Sequence, residues 1–426
     1  MATQNQAIDI PGDIDLTFGL QGQAPLHFPD GKFSHVRSMT LTPEGKILVA
    51  GSKDNEYMIG CLSEDGVIDT SFGRMGSIVS KFKGRDSRAD AIHILDDGRL
   101  LITGSYYFNP YYLPAACRLL PSGELDSTFG NGGFFIFSFD ELPETKRRVI
   151  PTPLGADGAA SGSALLPDGK IILVQGIAPP VAGLLVKLTA QGNFDTTFNG
   201  TGSVRVEDPD ETADFTNIMS LIIDPIGNIL MGGQVGVYEA GTDPYIEPLL
   251  ARFTPDGAPD VTFGHAGTGF IKPMPKTEYG SVGDIVLHKN GKIFGVGSHG
   301  ATQLDATAFG ALANGQFDTD FNGGKINKIT PGSLNIWDCA LSPPPYNFVV
   351  ASGIAVDKEN RNMGVLVGRF HQTGESDLTF GASGGWKLLE PGVGSQLAVQ
   401  ANGKILVAYR PGDVPGEPCV ITRLLP

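Results

Sequence analysis

The word Asp15-Leu16-Thr17-Phe18-Gly19 returns six more times along the chain, at 69–73, 126–130, 195–199, 260–264, 318–322 and 377–381. Its phenylalanines, Phe18, Phe72, Phe129, Phe198, Phe263, Phe321 and Phe380, stand 54 to 69 residues apart. A chain of 426 residues has room for more than one average domain, but a period kept from end to end marks one array of similar units.

The grammar between two such words is clearest in the first copy. An alternating run, Ser38-Met39-Thr40-Leu41, closes on Pro43-Glu44-Gly45; a β-rich run, Lys46 to Gly51, follows. A third run, Tyr57 to Leu62, ends at Glu64-Asp65-Gly66, and a fourth passes through Ser77-Ile78-Val79-Ser80. Four short strands joined by glycine-bearing turns make an up-and-down antiparallel sheet. The first turn recurs as Asp97-Gly98, Asp168-Gly169, Ile226-Gly227, Asn290-Gly291 and Asn402-Gly403, and only the sixth copy replaces it, with Leu341 to Asn347 and its three prolines. One such sheet cannot bury both of its faces alone. Radial stacking does so, which predicts an all-β fold, a seven-bladed β-propeller with four antiparallel strands per blade.

The ends of the repeat predict how the ring closes. An ordinary third strand and its turn read Arg252-Phe253-Thr254-Pro255-Asp256-Gly257, with Asp260 three residues on. Arg423-Leu424-Leu425-Pro426 is the first half of that phrase, and Pro11-Gly12-Asp13-Ile14-Asp15 is the second. The last blade then combines about 11–28 with 394–426, an N-terminal outer strand joining three C-terminal strands so that no sheet edge is left open. Residues 1–10 form an extension, and 11–426 one propeller.

Phrases such as Leu250 to Gly257 followed by Thr262-Phe263-Gly264, and Ala401-Asn402-Gly403-Lys404-Ile405-Leu406-Val407-Ala408, resemble the bacterial delta-60 repeat family. The resemblance runs through nearly the whole chain after residue 10. It implies a propeller-like fold and brings no assigned activity or catalytic residue. The chain departs from the pattern at the sixth first turn and in long insertions in the second and fourth units.

Charge narrows the partners. A net charge of −15 repels phosphate backbones and excludes general nucleic-acid binding as an expectation. No run of apolar residues is long enough to span a membrane. The first ten residues lack a basic end followed by an apolar stretch, so no signal peptide is expected, and the expected location is cytoplasmic or reached by release without a classical signal. Cys61, Cys117, Cys339 and Cys419 show no metal or redox spacing and read as buried thiols.

What repeats reads as structure. Asp and Thr at a turn satisfy local backbone N–H groups, Gly supplies positive φ, and Phe packs between sheets. A basic residue stands five positions before the turn glycine in five copies, as Arg118, Lys187, Arg252, Arg369 and Arg423, with Cys61 and Gly310 in the first and fifth. It reads as a partner for a turn carboxylate, the motif Asp of its own or the next unit.

Function is then expected where the copies differ, in the links between second and third strands and between blades, which share one face of an up-and-down ring. Six of the ten tyrosines fall there: Tyr106, Tyr107, Tyr111 and Tyr112 in one segment, Tyr238 and Tyr245 in another beside Glu239, Asp243 and Glu247. Aromatic rings beside carboxylates suit a sugar or a protein hot spot. The cluster Lys146-Arg147-Arg148 either pairs with the acidic run 207–215 or offers forked donors to a carboxylate or phosphate. Arg37, Asp90, Asp284, Trp337, Asp338 and Gln396 are placed near the start of the innermost strands.

The leading expectation is a non-enzymatic binding protein whose loop face holds a glycan or protein partner through Tyr106, Tyr107, Tyr111, Tyr112, Arg147, Arg148, Tyr238, Tyr245 and Trp337, with no cofactor. The alternative is a metal-assisted hydrolase or lactonase, Asp90, Asp284 and Asp338 holding a divalent cation such as calcium at the channel mouth. Catalytic residues and oligomeric state are not specified by the sequence.

Overall fold

The computed structural model describes residues 10–108, 111–138, 161–177, 182–209, 213, 215–237, 245–274, 279–288, 290–381, 384–412 and 417–426, without the side chains of Tyr111, Ser161, Ile177 and Val237. Strands dominate, and the only helices among these residues are short 3₁₀ turns such as Phe82–Gly84. The described strands form four separate four-stranded antiparallel sheets, one twelve-stranded sheet that divides into three more units of four, and a two-stranded ribbon of His27–Phe28 with Gly31–Lys32. Each unit follows the predicted order. Unit one is His35–Leu41, Ile47–Lys53, Glu56–Leu62 and Ser77–Ser80; unit two is Ser87–Ile94, Leu100–Phe108, Tyr111–Leu119 and Phe134–Ile136. Units three to six open on the strands Ser161–Leu165, Phe215–Ile223, Tyr279–Leu287 and Leu334–Leu341; unit seven is Gly392–Val399, Ile405–Pro411 and Val420–Leu424 with Gln23–Pro25.

Burial explains why the middle strands lose the alternation of a half-wet sheet. Ile47 to Ser52 and Ala182–Leu188 are buried at every residue, because a neighbouring sheet lies on each face. Apolar clusters therefore bridge consecutive units, one of them joining Phe294 and Val296 of unit five to Trp337 and Val349 of unit six. Another joins Phe28, Val49 and Met58 to Ala408 and Ile421 of unit seven. Gln23–Pro25 pairs antiparallel with the C-terminal strand, Gln23 opposite Thr422 and Pro25 opposite Val420.

The repeated word is a turn that locks its own unit and the next. Asp126 Oδ1 accepts the backbone N–H (3.0 Å) and the hydroxyl (2.6 Å) of Thr128, and its Oδ2 accepts Arg118 Nε at 2.7 Å. Arg118 Nη2 donates to the Thr128 hydroxyl at 3.0 Å, Nη1 donates to the Ala190 carbonyl of unit three at 2.8 Å, and the guanidinium carbon sits 5.0 Å from the Phe129 ring centre. The recurring arginines thus pair with the motif Asp of their own unit, whereas Lys187 donates Nζ to the Pro255 carbonyl at 2.7 Å and Lys170 holds Asp195 at 3.0 Å. Arg252–Asp260, Arg369–Asp377 and Arg423–Asp15 repeat the pair at 2.7–2.8 Å.

Candidate functional site

The first strands of the units carry a feature that strand periodicity hides. Register slips by one residue at Val36/Ser38, Ala89/Ala91, Ile218/Ser220, Val282/Asp284 and Trp337/Cys339. Arg37, Asp90, Met219, Gly283 and Asp338 are the inserted residues of these β-bulges, which re-aim a side chain out of the ladder. They lie partway down the strands, not at their first residues.

The three carboxylates have separate surroundings. Asp90 is buried and faces Arg88 Nε at 3.5 Å and Arg37 Nε at 3.6 Å, and Ser105 donates its hydroxyl to it at 3.2 Å. Asp284 is a strut between units: its Oδ2 accepts the Ala340 N–H of unit six at 2.9 Å, its Oδ1 that of Ile285 at 2.8 Å. Burial raises its carboxyl to about 6, partly offset by those two N–H donors. Asp338 is exposed, yet the protein around it displaces enough bulk water to push its carboxyl up to about 7. Among the described residues no three His, Cys, Asp or Glu side chains are gathered as metal ligands. The expected calcium triad is corrected accordingly: Asp90 answers to arginines and Asp284 to backbone.

Trp337, read as a ligand contact, is a core residue. It is fully buried, 6.0 Å from the ring of Phe370, because the residue before a bulge turns its side chain into the layer between sheets. Tyr106 is likewise internal, its hydroxyl donating to the Phe137 carbonyl at 2.6 Å.

Tyr107 and Tyr112 do form a surface. They are cross-strand partners at the end of the second and third strands of unit two, with ring centres 5.4 Å apart. Tyr107 is 37% exposed and Phe108 45%. The Arg88 guanidinium lies 4.3 Å from the Tyr112 ring centre, held by Arg88 Nε donating to the Ser105 hydroxyl at 2.8 Å; Arg85 covers Tyr106 and Phe108 on the other face of the hairpin, at 5.0 and 5.8 Å. Neither arginine stood out in the sequence: Arg85 lies two residues before the strand Ser87–Ile94, whose Ser87 pairs with Tyr106, and Arg88 is its second residue. Tyr111 belongs to the same strand, but its side chain lies outside the described residues.

Arg147, Arg148 and Tyr238 also lie outside the described residues. Tyr245 opens the third strand of unit four, half-buried. Glu247 beside it is buried and bound to Lys272 at 3.0 Å, and Glu207 pairs with Arg205 of its own strand.

A β-propeller family model matches residues 95–129. Its description reads "Domain of unknown function (DUF5122) beta-propeller", and the match covers most of unit two. No curated protein matches the chain. Among solved structures, a protein of unknown function from Dyadobacter fermentans is 11% identical, with 95% of this chain and 98% of that one covered at a TM-score of 0.46. The polysaccharide lyase Uly1 is 10% identical, covering 99% and 98% at 0.46. The GH93 α-L-arabinofuranosidase of Fusarium graminearum, complexed with arabinobiose, is 13% identical, covering 82% and 95% at 0.41. The chain is all-β and propeller-like.

Proposed function

We propose that residues 11–426 form one seven-bladed ring, and that it acts by binding a glycan on the hairpin rim of unit two. The pairing of Gln23–Pro25 with the C-terminal strand and the shared core of units seven and one support the ring. Exposed Tyr107, with half-buried Tyr112 beside it and Arg88 stacked on Tyr112, carries the binding reading. Ring faces take the C–H side of a sugar, and the buried Arg88, held by Ser105, fixes the Tyr112 ring in place. The hairpin is anchored by buried Leu113 and Tyr106, so the rings need little ordering on binding.

Glycan-array binding of the purified chain tests this. Tyr107→Ala and Tyr112→Ala are expected to weaken the captured glycan at least about tenfold with unchanged melting. Failure to capture any glycan, with a protein recovered on the same rim, would replace the ligand class while keeping the rim.

A second reading rests on Asp338, an exposed acid poised near neutrality. Hydrolysis of lactone or glycoside test substrates that disappears in Asp338→Asn would establish it; equal rates in both proteins would sink it.

A further inference from the structure

Six of the seven junctions between consecutive units are closed by one set of contacts, and the junction from unit one to unit two lacks all of it. Elsewhere the last residue of the word donates its backbone N–H to the turn of the next unit: Gly130 to Gln191, Asn199 to Asp256, Gly264 to Asn314, Asn322 to Thr373, Gly381 to Pro11 and Gly19 to Asp65, at 2.6–3.0 Å. Among the described residues Gly73 makes no such bond to Ser122. Elsewhere the motif phenylalanine fills the space over the next turn glycine, so that a Cβ on Gly192 would meet Phe129 at 2.6 Å; a Cβ on Gly123 would meet Ile78, at 3.0 Å, and not Phe72. Phe72 alone of the seven motif phenylalanines is not buried.

The cause is one residue. Cys61 stands where Arg118, Arg252 and Arg423 each bind the motif Asp, the motif Thr and a carbonyl two positions before the next turn glycine. Every acceptor of that cradle remains in unit one. Asp69 keeps its carboxylate, Ser71 supplies the hydroxyl, and Pro121 and Ser122 present turn carbonyls that accept no described hydrogen bond. Gly310 also lacks the cation, but there Asn327 Nδ2 donates to the Gly374 carbonyl at 2.9 Å and the junction stays closed.

What is left is a cleft of about 980 Å³ lined by Cys61, Asp69, Ser71, Phe72, Pro121 and Ser122. The corresponding cleft between units four and five, walled by Arg252, Asp260 and Thr262, measures about 470 Å³. Glu44 and Asp96 add negative charge at the edge. The cations that face Asp69 are accounted for: Lys46 Nζ binds Oδ2 at 2.5 Å, as Lys404 binds Asp15 alongside Arg423, so a carboxylate at this position accommodates two cations and here holds one. His93, in the same wall, is half-buried, bonded to Ser163 at 2.7 Å and held low by desolvation, at about 4, which keeps it neutral.

We propose that the cleft between units one and two binds an alkylguanidinium group, the side chain of arginine or a free analogue of it, seated on Asp69, Ser71, the Phe72 ring and the turn carbonyls of Pro121 and Ser122. The chain's own arginines display the pose in other units. A guanidinium fits this set better than an ammonium because its fork reaches carboxylate, hydroxyl and carbonyl together and its plane covers a ring. The site is independent of the glycan rim.

Calorimetric titration of the full chain with N-acetylarginine amide tests the proposal. Saturable binding with a dissociation constant of about 1 mM or tighter is expected. N-acetylnorleucine amide is expected to bind at least about tenfold more weakly, as is the arginine probe to Asp69→Asn. Cys61→Arg, which fills the cradle from within, is expected to abolish binding and to raise the melting midpoint. A Gly-Arg-Gly peptide binding more tightly than the free amide would assign the guanidinium to a peptide, equal affinity to a free arginine-like molecule; both uphold the site. No saturation up to about 10 mM, or equal affinity in Asp69→Asn, would overturn it. Should Cys61→Arg fail to fold, Asp69→Asn and Ser71→Ala decide.

Discussion

The junction between units two and three and the junction between units one and two are built from the same word, and the difference that matters most is Arg118 in one against Cys61 in the other. In the first, Arg118 joins Asp126, Thr128 and the Ala190 carbonyl, and Phe129 is buried beneath Gly192. In the second, the Cys61 thiol reaches Asp69 Oδ2 only at 4.0 Å and spans to no group of unit two among the described contacts; burial pushes it up to about 11, and Phe72 stays half-buried. The word alone does not close a junction. Its carboxylate and ring are a receptor for a cation, and closure follows when a cation spans from one unit to the carbonyls of the next.

The largest break in this comparison is expected from the rings. Phe129→Ala should cost about 4 kcal/mol in urea unfolding, the range for a large buried aromatic, and Phe72→Ala roughly half of that. Equal costs would mean that the two junctions are packed alike. Next comes the bolt itself. Arg118→Ala leaves Asp126 buried with only Arg99 beside it and should cost about 3 kcal/mol, whereas Cys61→Ala should stay within about 1 kcal/mol.

Building the missing bolt sharpens the same comparison from the other side. Cys61→Arg should stabilise by about 1 kcal/mol, read as a rise in urea midpoint at unchanged slope. A loss would show that the cleft cannot narrow to the spacing of its neighbours.

The smallest effect is the acid limb. Burial pushes Asp126 up, but hydrogen bonds from Thr128, Arg118 and Arg99 outweigh it and hold the carboxyl well below its ordinary range. Asp69 is brought to about 2, chiefly by Lys46 and then by Ser71. A carboxyl depressed in the folded state contributes stability above its unfolded value, near 4, and that contribution is lost as pH falls towards the folded value. The fall in urea midpoint between about pH 5 and pH 3 should therefore shrink in both Asp126→Asn and Asp69→Asn, and more in the former. Asp338 runs the opposite way: raised to about 7, it destabilises as pH climbs above about 4, so Asp338→Asn should stabilise at pH 8 and be neutral at pH 4.

Much of the architecture could be read before any coordinates. The spacing of Phe18 to Phe380 and the split phrase at Arg423 and Pro11 carry the strand order and the pairing of the two termini, because each unit repeats the same turn chemistry and register follows from the turn. The basic residue before the third turn was legible too, although whether it served its own or the next unit was not. Arg118 serves both, its Nε at home and its Nη1 abroad.

The site was legible only in part. Tyr107 and Tyr112 announced themselves by density, but Tyr106 and Trp337 did not announce that they were internal, since alternation says which residues share a face and not which face is covered. Arg85 and Arg88 carried no signal of their own. Their role comes from the strand that pairs with the tyrosines, a contact across nearly twenty residues.

By itself the sequence determined the repeat, the strand count of each unit, the turn chemistry and the acidic surface, all of which depend on residues near one another in the chain. Tertiary structure decided the bulges at Arg37, Asp90 and Asp338, the capture of Asp284 by unit six, and the open cleft at Cys61. Each of these is set by the distance between neighbouring sheets, and that distance depends on which side chains meet across the gap.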